Sequence, residues 1–168
     1  MRILDPAAGP DTYSRTQVAL HWLVAALVLG QYATSGAITR THQIRLIGQR
    51  INSSDLTLHL LHNRLGLLIV ALMGLRLLVR WRYGAPEPLS DPRTWAARLA
   101  SAAHWSFYAL LIAQGITGAI ATYFWWPISA AHVVLFKIFL ALLAVHVAAA
   151  FWRTFVKRDG ALARMIRI

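Results

Sequence analysis

The chain contains no cysteine. Disulfides, thiolate metal centres and cysteine-held iron–sulfur clusters are therefore excluded. So is covalently attached c-type haem, which needs a Cys-x-x-Cys-His motif. Acidic residues are scarce: six Asp and Glu stand against 17 Lys and Arg, for a formal net charge of +11. The apolar stretches accordingly lack the carboxylates that a proton relay or a buried cation site would use. Proline is confined to Pro6, Pro10, Pro86, Pro88, Pro92 and Pro127, all in tails or connections. No internal repeat or low-complexity segment stands out. The first ten residues hold Asp5, two prolines and no apolar run, so no cleavable signal peptide is expected and the first hydrophobic segment is read as a retained helix.

What the sequence has in abundance is apolar length. Hydrophobic residues make up 58% of its 168 positions. A soluble nucleic-acid binder would also be basic, but here the charges sit in short connections between stretches too apolar for a nucleic-acid surface, so no nucleic-acid partner is expected. Crossing a bilayer takes roughly 20 apolar residues. Four segments qualify, at about 14–36, 56–81, 95–123 and 129–155. The expectation is an all-α integral membrane four-helix bundle forming a single domain over 1–168, in contact with membrane lipid. Basic residues give its orientation. Arg2, Arg15, Arg76, Arg80, Arg82, Arg93, Arg98, Arg153, Lys157, Arg158, Arg164 and Arg167 fall on one side, against Arg40, Arg45 and Arg50 on the other. Twelve against three places both termini in the cytoplasm.

Of seven histidines only His42 falls clearly in a loop. Ionisable groups inside apolar spans are expensive and mark functional sites. A single one is well explained as a helix–helix hydrogen bond; six are not. Their depths form two layers. His21, His104 and His146 share the cytoplasmic layer, and His59, His62 and His132 share the opposite one. His132 and His146 are 14 residues apart, about 21 Å of helical rise and close to four whole turns, so both rings share one face. Paired with a histidine from a facing helix, each can grip a planar macrocycle. Zinc prefers four converging ligands, and neither layer supplies them, so two bis-histidine haem b groups fit better. In the outer layer His62 is preferred to His59, because Gly66 one turn on leaves room for a ring. In the inner layer, spacing leaves both His21 and His104 as partners for His146.

Several motifs together resemble the bacterial cytochrome b561 family, in its short four-helix form that includes superoxide:ubiquinone oxidoreductases. They are Tyr13-Ser14-Arg15-x-Gln17-x-x-x-His21-Trp22-Leu23-Val24, and His62-x-x-x-Gly66 with the later run Leu72-Met73-Gly74-Leu75-Arg76-Leu77-Leu78-Val79-Arg80. His104-x-x-x-Tyr108 with Gly115 and Gly118, and the His132 to His146 spacing before a basic tail, complete the set. The resemblance covers roughly 12–168. It implies that His21 and His146 ligate the cytoplasmic-side haem, that His62 and His132 ligate the periplasmic-side haem, and that His104 is not a ligand. Two departures stand out: Arg153 lies where some relatives carry a further histidine, and Phe124-Trp125-Trp126-Pro127 makes the third loop short.

The expected function is transmembrane electron transfer in a bacterial inner membrane, oxidising periplasmic superoxide and reducing ubiquinone. Arg15, Arg64, Lys137 and Arg153 are the candidate propionate or anion contacts, and His104, Arg76 and Arg80 the candidate quinone site. A second expectation keeps the haems but makes the protein a conduit for a periplasmic cytochrome or dehydrogenase. A third, a non-redox histidine-rich metal transporter, lacks carboxylate ligands.

Overall fold

A computed structural model of the chain describes residues 12–86, 91 and 93–166. Four long helices dominate it: α1 (Arg15–Leu46), α2 (Ser53–Tyr83), α3 (Trp95–Tyr123) and α4 (Ser129–Trp152). No strand occurs among the described residues. Arg2, Arg167, Pro6, Pro10, Pro88 and Pro92, used in the orientation and loop arguments, lie outside the described residues.

Helices α1, α2 and α3 start where the sequence supplies a cap, whereas α4 follows Ile128 with no side-chain cap. Ser14 accepts from the Gln17 backbone N–H, and the Gln17 side chain accepts from the Ser14 N–H, a reciprocal capping box. Asn52 and Thr94 cap α2 and α3 in the same way, through side-chain oxygens that accept from Ser54 and Ala97. Gln17 also donates to the Gly84 carbonyl at 2.8 Å, tying the start of α1 to the end of α2. At the far end of the chain, a short turn at Ala163–Met165 folds back so that Trp22 donates to the Met165 carbonyl at 2.6 Å.

Helix α1 runs on to Leu46, about three turns beyond the end expected near residue 36. Gly36 stays helical, and the helix stops only before Gly48, whose φ of +71° suits glycine. The added turns are held from outside: Arg40 clasps the Asp55 carboxylate at the start of α2 with Nη2 at 2.6 Å and Nε at 3.0 Å. That pairing of distant residues is what the local sequence does not display. At the other end, α4 passes through a wide turn at Arg153–Lys157, and the stretch Trp126–Lys157 is continuous in its apolar character.

Three segments are long and apolar enough to cross a membrane: Arg15–Leu46, Trp95–Tyr123 and Trp126–Lys157. The expected second span differs. Helix α2 has the length, at 31 residues, but Asp55, Arg64, Arg76, Arg80 and Arg82 dilute its hydropathy. One of these arginines is held inside the bundle, as shown below.

Successive helices pack side by side, α1 on α2, α2 on α3 and α3 on α4, while α1 and α4 form no packing of that extent among the described residues. The fully enclosed core is small and sits at mid-height: Val24 of α1, Ile69 and Met73 of α2, Leu111 of α3 and Phe139 of α4. Large apolar side chains such as Leu29, Leu78, Val145 and Phe155 are exposed on the outside. This is the expected distribution for a bundle whose outer solvent is lipid.

Candidate functional site

On every helix the central core is bracketed by polar groups. In α1 they are His21 and Gln31, in α2 Arg76 and His62, in α3 His104 and Gln114, and in α4 His146 and His132. The bundle thus has three storeys: an apolar middle and a polar layer on each side of it. The 14-residue intervals in α2 and α4 separate the polar layers by about 21 Å along each helix.

In the outer storey, His62 and His132 lie within electrostatic reach of each other. Both rings are held by their Nδ1 atoms. Thr34 Oγ1 lies 3.1 Å from His62 Nδ1, and it already directs its proton to the Gly30 carbonyl at 2.8 Å. The oxygen therefore accepts from His62 Nδ1–H. His132 Nδ1 lies 2.9 Å from the Gln114 carbonyl, which can only accept. Both imidazoles are thus Nδ1–H tautomers, with the Nε2 lone pair left for another partner. For His132 that partner in this structure is the Gln114 amide, at 3.2 Å.

Two glycines permit close approach at this storey, Gly118 to the His132 ring and Gly66 to the Gln31 amide. A Cβ on Gly118 would come within 3.0 Å of His132 Cε1, and a Cβ on Gly66 within 2.9 Å of Gln31 Nε2. The buried carboxamide oxygens of Gln31 and Gln114 have no hydrogen-bond partner among the described residues. Unsatisfied buried acceptors are costly. A paired set of Nε2 lone pairs, glycine clearances and unsatisfied amides fits a bis-imidazole cofactor better than a closed protein core.

The inner storey gathers His21, His104 and His146 with Arg76. Arg76 Nη2 lies 3.3 Å from His21 Nδ1, so the guanidinium donates and His21 accepts. His146 meets the Phe107 ring edge-on at 5.1 Å between centroids, and the His104 ring at 6.3 Å. Arg76 lies over the Tyr108 ring at 5.7 Å, and Arg80 lies over Trp105 at 5.7 Å. The candidate quinone residues His104, Arg76 and Arg80 thus share one flank, where α2 faces α3. Among the described residues, no three His, Asp or Glu side chains converge closely enough to hold a metal ion directly.

The remaining candidates are dispersed. Arg15 is exposed on the first turn of α1. Arg64 and Lys137 are also exposed, and they lie about 200° and about 140° around their helices from His62 and His132. Arg153 is engaged with Asp159 at 2.8 Å, closing the turn that follows α4.

Some residues of the site were missed in the sequence reading. Thr34, Thr117, Gln31 and Gln114 all touch the outer histidines or flank them. The available signal was a Gln-x-x-Thr pattern in both α1 and α3. His59 belongs to a separate group at the outer end: Thr41 binds its Nδ1 at 2.6 Å, and His42 packs 5.5 Å away while stacking on Trp126 at 3.8 Å.

Comparison with known proteins identifies the family of the chain. The family profile described as prokaryotic cytochrome b561 matches residues 12–167. The chain is 27% identical to a probable superoxide oxidase CybB of Yersinia pestis, over 92% of its own length and 95% of that relative's. It is 28% identical to a cytochrome b562 of Cereibacter sphaeroides, over 92% and 95% respectively. To cytochrome b561 homolog 1 of Escherichia coli K12 it is 26% identical, over 93% and 97%.

Proposed function

Since the chain belongs to the prokaryotic cytochrome b561 family of haem-b membrane electron-transfer proteins, we propose that it binds two haem b groups and carries electrons from periplasmic superoxide to ubiquinone. His62 and His132 hold the outer haem, and His21 and His146 the inner one. Haem b supplies reversible one-electron chemistry when bound. In the net reaction two superoxide anions each give up one electron and leave as O2. One ubiquinone takes both electrons and two protons to become ubiquinol.

The observation that carries this reading is the pair of histidine storeys on α4, at His132 and His146, separated by an apolar core. Each storey adds a histidine from a second helix. Helix α2 crosses the membrane with the other three, because Arg76 is directed to His21 rather than to lipid. The protein is a single-domain, multi-pass protein of the bacterial inner membrane, with both termini cytoplasmic on the twelve-to-three distribution of basic residues.

The protein's own groups provide binding and steering. Arg64 and Lys137 lie on the outside of the bundle toward its outer half, where exposed cations raise the arrival rate of an anion. His104, Arg76 and Arg80 offer hydrogen-bond donors to a quinone carbonyl on the inner flank. Arg15 and Arg153 lie at the inner ends of α1 and α4, within the layer where propionates would seek cations.

Rapid mixing of the purified protein with superoxide tests the proposal. Two haems per chain by pyridine haemochrome, reduced by superoxide and reoxidised by ubiquinone, are expected. A colourless chain purified from haem-replete cells would overturn the haem reading. Two haems that superoxide does not reduce, in a chain that co-purifies with a redox protein, would favour a conduit for a periplasmic partner instead.

A further inference from the structure

Helices α1 and α3 carry the same four-residue pattern: Gln31-x-x-Thr34 and Gln114-x-x-Thr117. The structure uses the two copies in parallel. Each threonine donates back along its own helix, Thr34 to Gly30 and Thr117 to Ala113, both at 2.8 Å. Each then offers its oxygen to the Nδ1 of a histidine on the next helix: Thr34 to His62 at 3.1 Å, and Thr117 to His132 at 3.3 Å. The glutamine one turn earlier also reaches that histidine. Gln31 Nε2 donates to the His62 carbonyl at 3.0 Å, and Gln114 Nε2 to His132 Nε2 at 3.2 Å. In both copies the glutamine oxygen is buried without a partner among the described residues. The α1–α2 and α3–α4 hairpins thus share the threonine contact at the outer storey, while the glutamine amide reaches the His62 main chain in one and the His132 ring in the other.

We propose that the two Gln-x-x-Thr segments are matched clamps that position the outer haem's ligands. Threonine fixes each imidazole as the Nδ1–H tautomer, and glutamine occupies the space beside it until the cofactor enters. This inference rests on the assignment of His62 and His132 as ligands. The hydroxyls act through the histidines and are positioning groups. An imidazole whose Nδ1–H is accepted by a neighbour is a stronger donor to ferric iron, which lowers the reduction potential.

Each histidine also has a backbone carbonyl to accept from its ring if the hydroxyl is lost: Gln114 for His132, at 2.9 Å from Nδ1, and Gln31 for His62. Thr34 is buried, at 5% exposure, so water does not readily replace it.

The test compares T34V, T117V, T34S and H62A in the full-length protein. T34V is expected to weaken the outer haem's binding by about 10- to 100-fold, the usual cost of losing an outer-shell partner. The outer midpoint potential rises in T34V and in T117V, and T34S restores the parent value. In the haem-free protein, 15N shifts of the His62 ring report a protonated Nδ1, and in T34V a mixture of tautomers. H62A loses one haem. If H62A loses a haem while T34V matches the parent in affinity, potential and ring shifts, the clamp is refuted and the ligand assignment stands. If H62A keeps both haems, the ligand assignment fails and the clamp with it.

Discussion

Substituting Gly115 with alanine sets two effects of known size against each other. Gly115 sits where α3 crosses α2, one residue after Gln114, and a Cβ there would run into the side chain of Val70 and lie 3.4 Å from the Gly66 carbonyl. Valine in a helix has essentially one comfortable χ1 rotamer. Val70 must therefore leave it, at about 0.5–1.5 kcal/mol, or the helices must part, and overpacking of this kind costs about 1–3 kcal/mol. Alanine meanwhile is the better helix former by about 1 kcal/mol. G115A is thus expected to destabilise the parent by up to about 2 kcal/mol. In a V70A background the clash is gone and the propensity term alone remains, so the same change becomes neutral or stabilising. The assay is thermal unfolding in mild detergent, followed by retention of the Soret band, across the double-mutant cycle. A coupling of about 1–3 kcal/mol between positions 70 and 115 is expected. Equal effects of G115A in both backgrounds would show that the two helices do not meet at this crossing.

Other perturbations read the site directly. G118A pushes a methyl to within 3.0 Å of the His132 ring and should weaken the outer haem while sparing the inner one, seen as loss of up to half the haem per chain. H146A should lose one haem and H104A none, as measured by pyridine haemochrome; loss of a haem in H104A would make His104 a ligand. R76Q removes the cation 3.3 Å from His21 and should lower the inner haem's midpoint potential in a redox titration; an unchanged potential would disconnect Arg76 from that site. The Arg40 guanidinium, through its hydrogen bonds, holds the Asp55 carboxyl below the usual carboxylate range. A depressed native pKa gives stability that is present above the unfolded value and lost as pH falls through the native one. D55N should therefore melt below the parent at pH 7, and the gap should narrow as pH falls below the ordinary carboxylate range. With Arg40 exposed and Asp55 only partly covered at the surface the gap is small, and a gap that does not narrow at low pH would assign it to some other role of Asp55.

What could be read in advance depended on the range of each interaction. The shared face of His132 and His146 follows from helix geometry alone, since 14 residues nearly close four turns whatever surrounds them. The end of α1 does not. Gly36 looks like a stop, yet the next turns are good helix and are anchored by Asp55, 15 residues away on another helix. The same distance hides the outer clamps: Thr34 acts on a histidine 28 positions later, and Thr117 on one 15 later. A Gln-x-x-Thr pair in an apolar helix has no meaning until the neighbouring helix is placed against it. Helix α2 shows the converse. Its arginines spoil it as a span by composition, and only the contact of Arg76 with His21 shows why one of them lies within the bundle.

The two storeys also differ in a way that bears on direction. Under the proposed ligand sets, the outer imidazoles donate Nδ1–H to neutral acceptors, which strengthens them as ligands for oxidised iron and lowers that site's potential. The inner storey works in reverse. His21 receives a hydrogen bond from a guanidinium through the same ring atom. Its proton therefore sits on Nε2, and ligation through Nε2 requires Arg76 to let go. A cation released in a water-poor layer stays close to the site and favours the state with one more electron, raising the potential. With the proposed ligands, both effects would set the inner site above the outer one. Electrons would then run downhill from the outer storey to the inner, the sense that the proposed outside donor and inner quinone acceptor require.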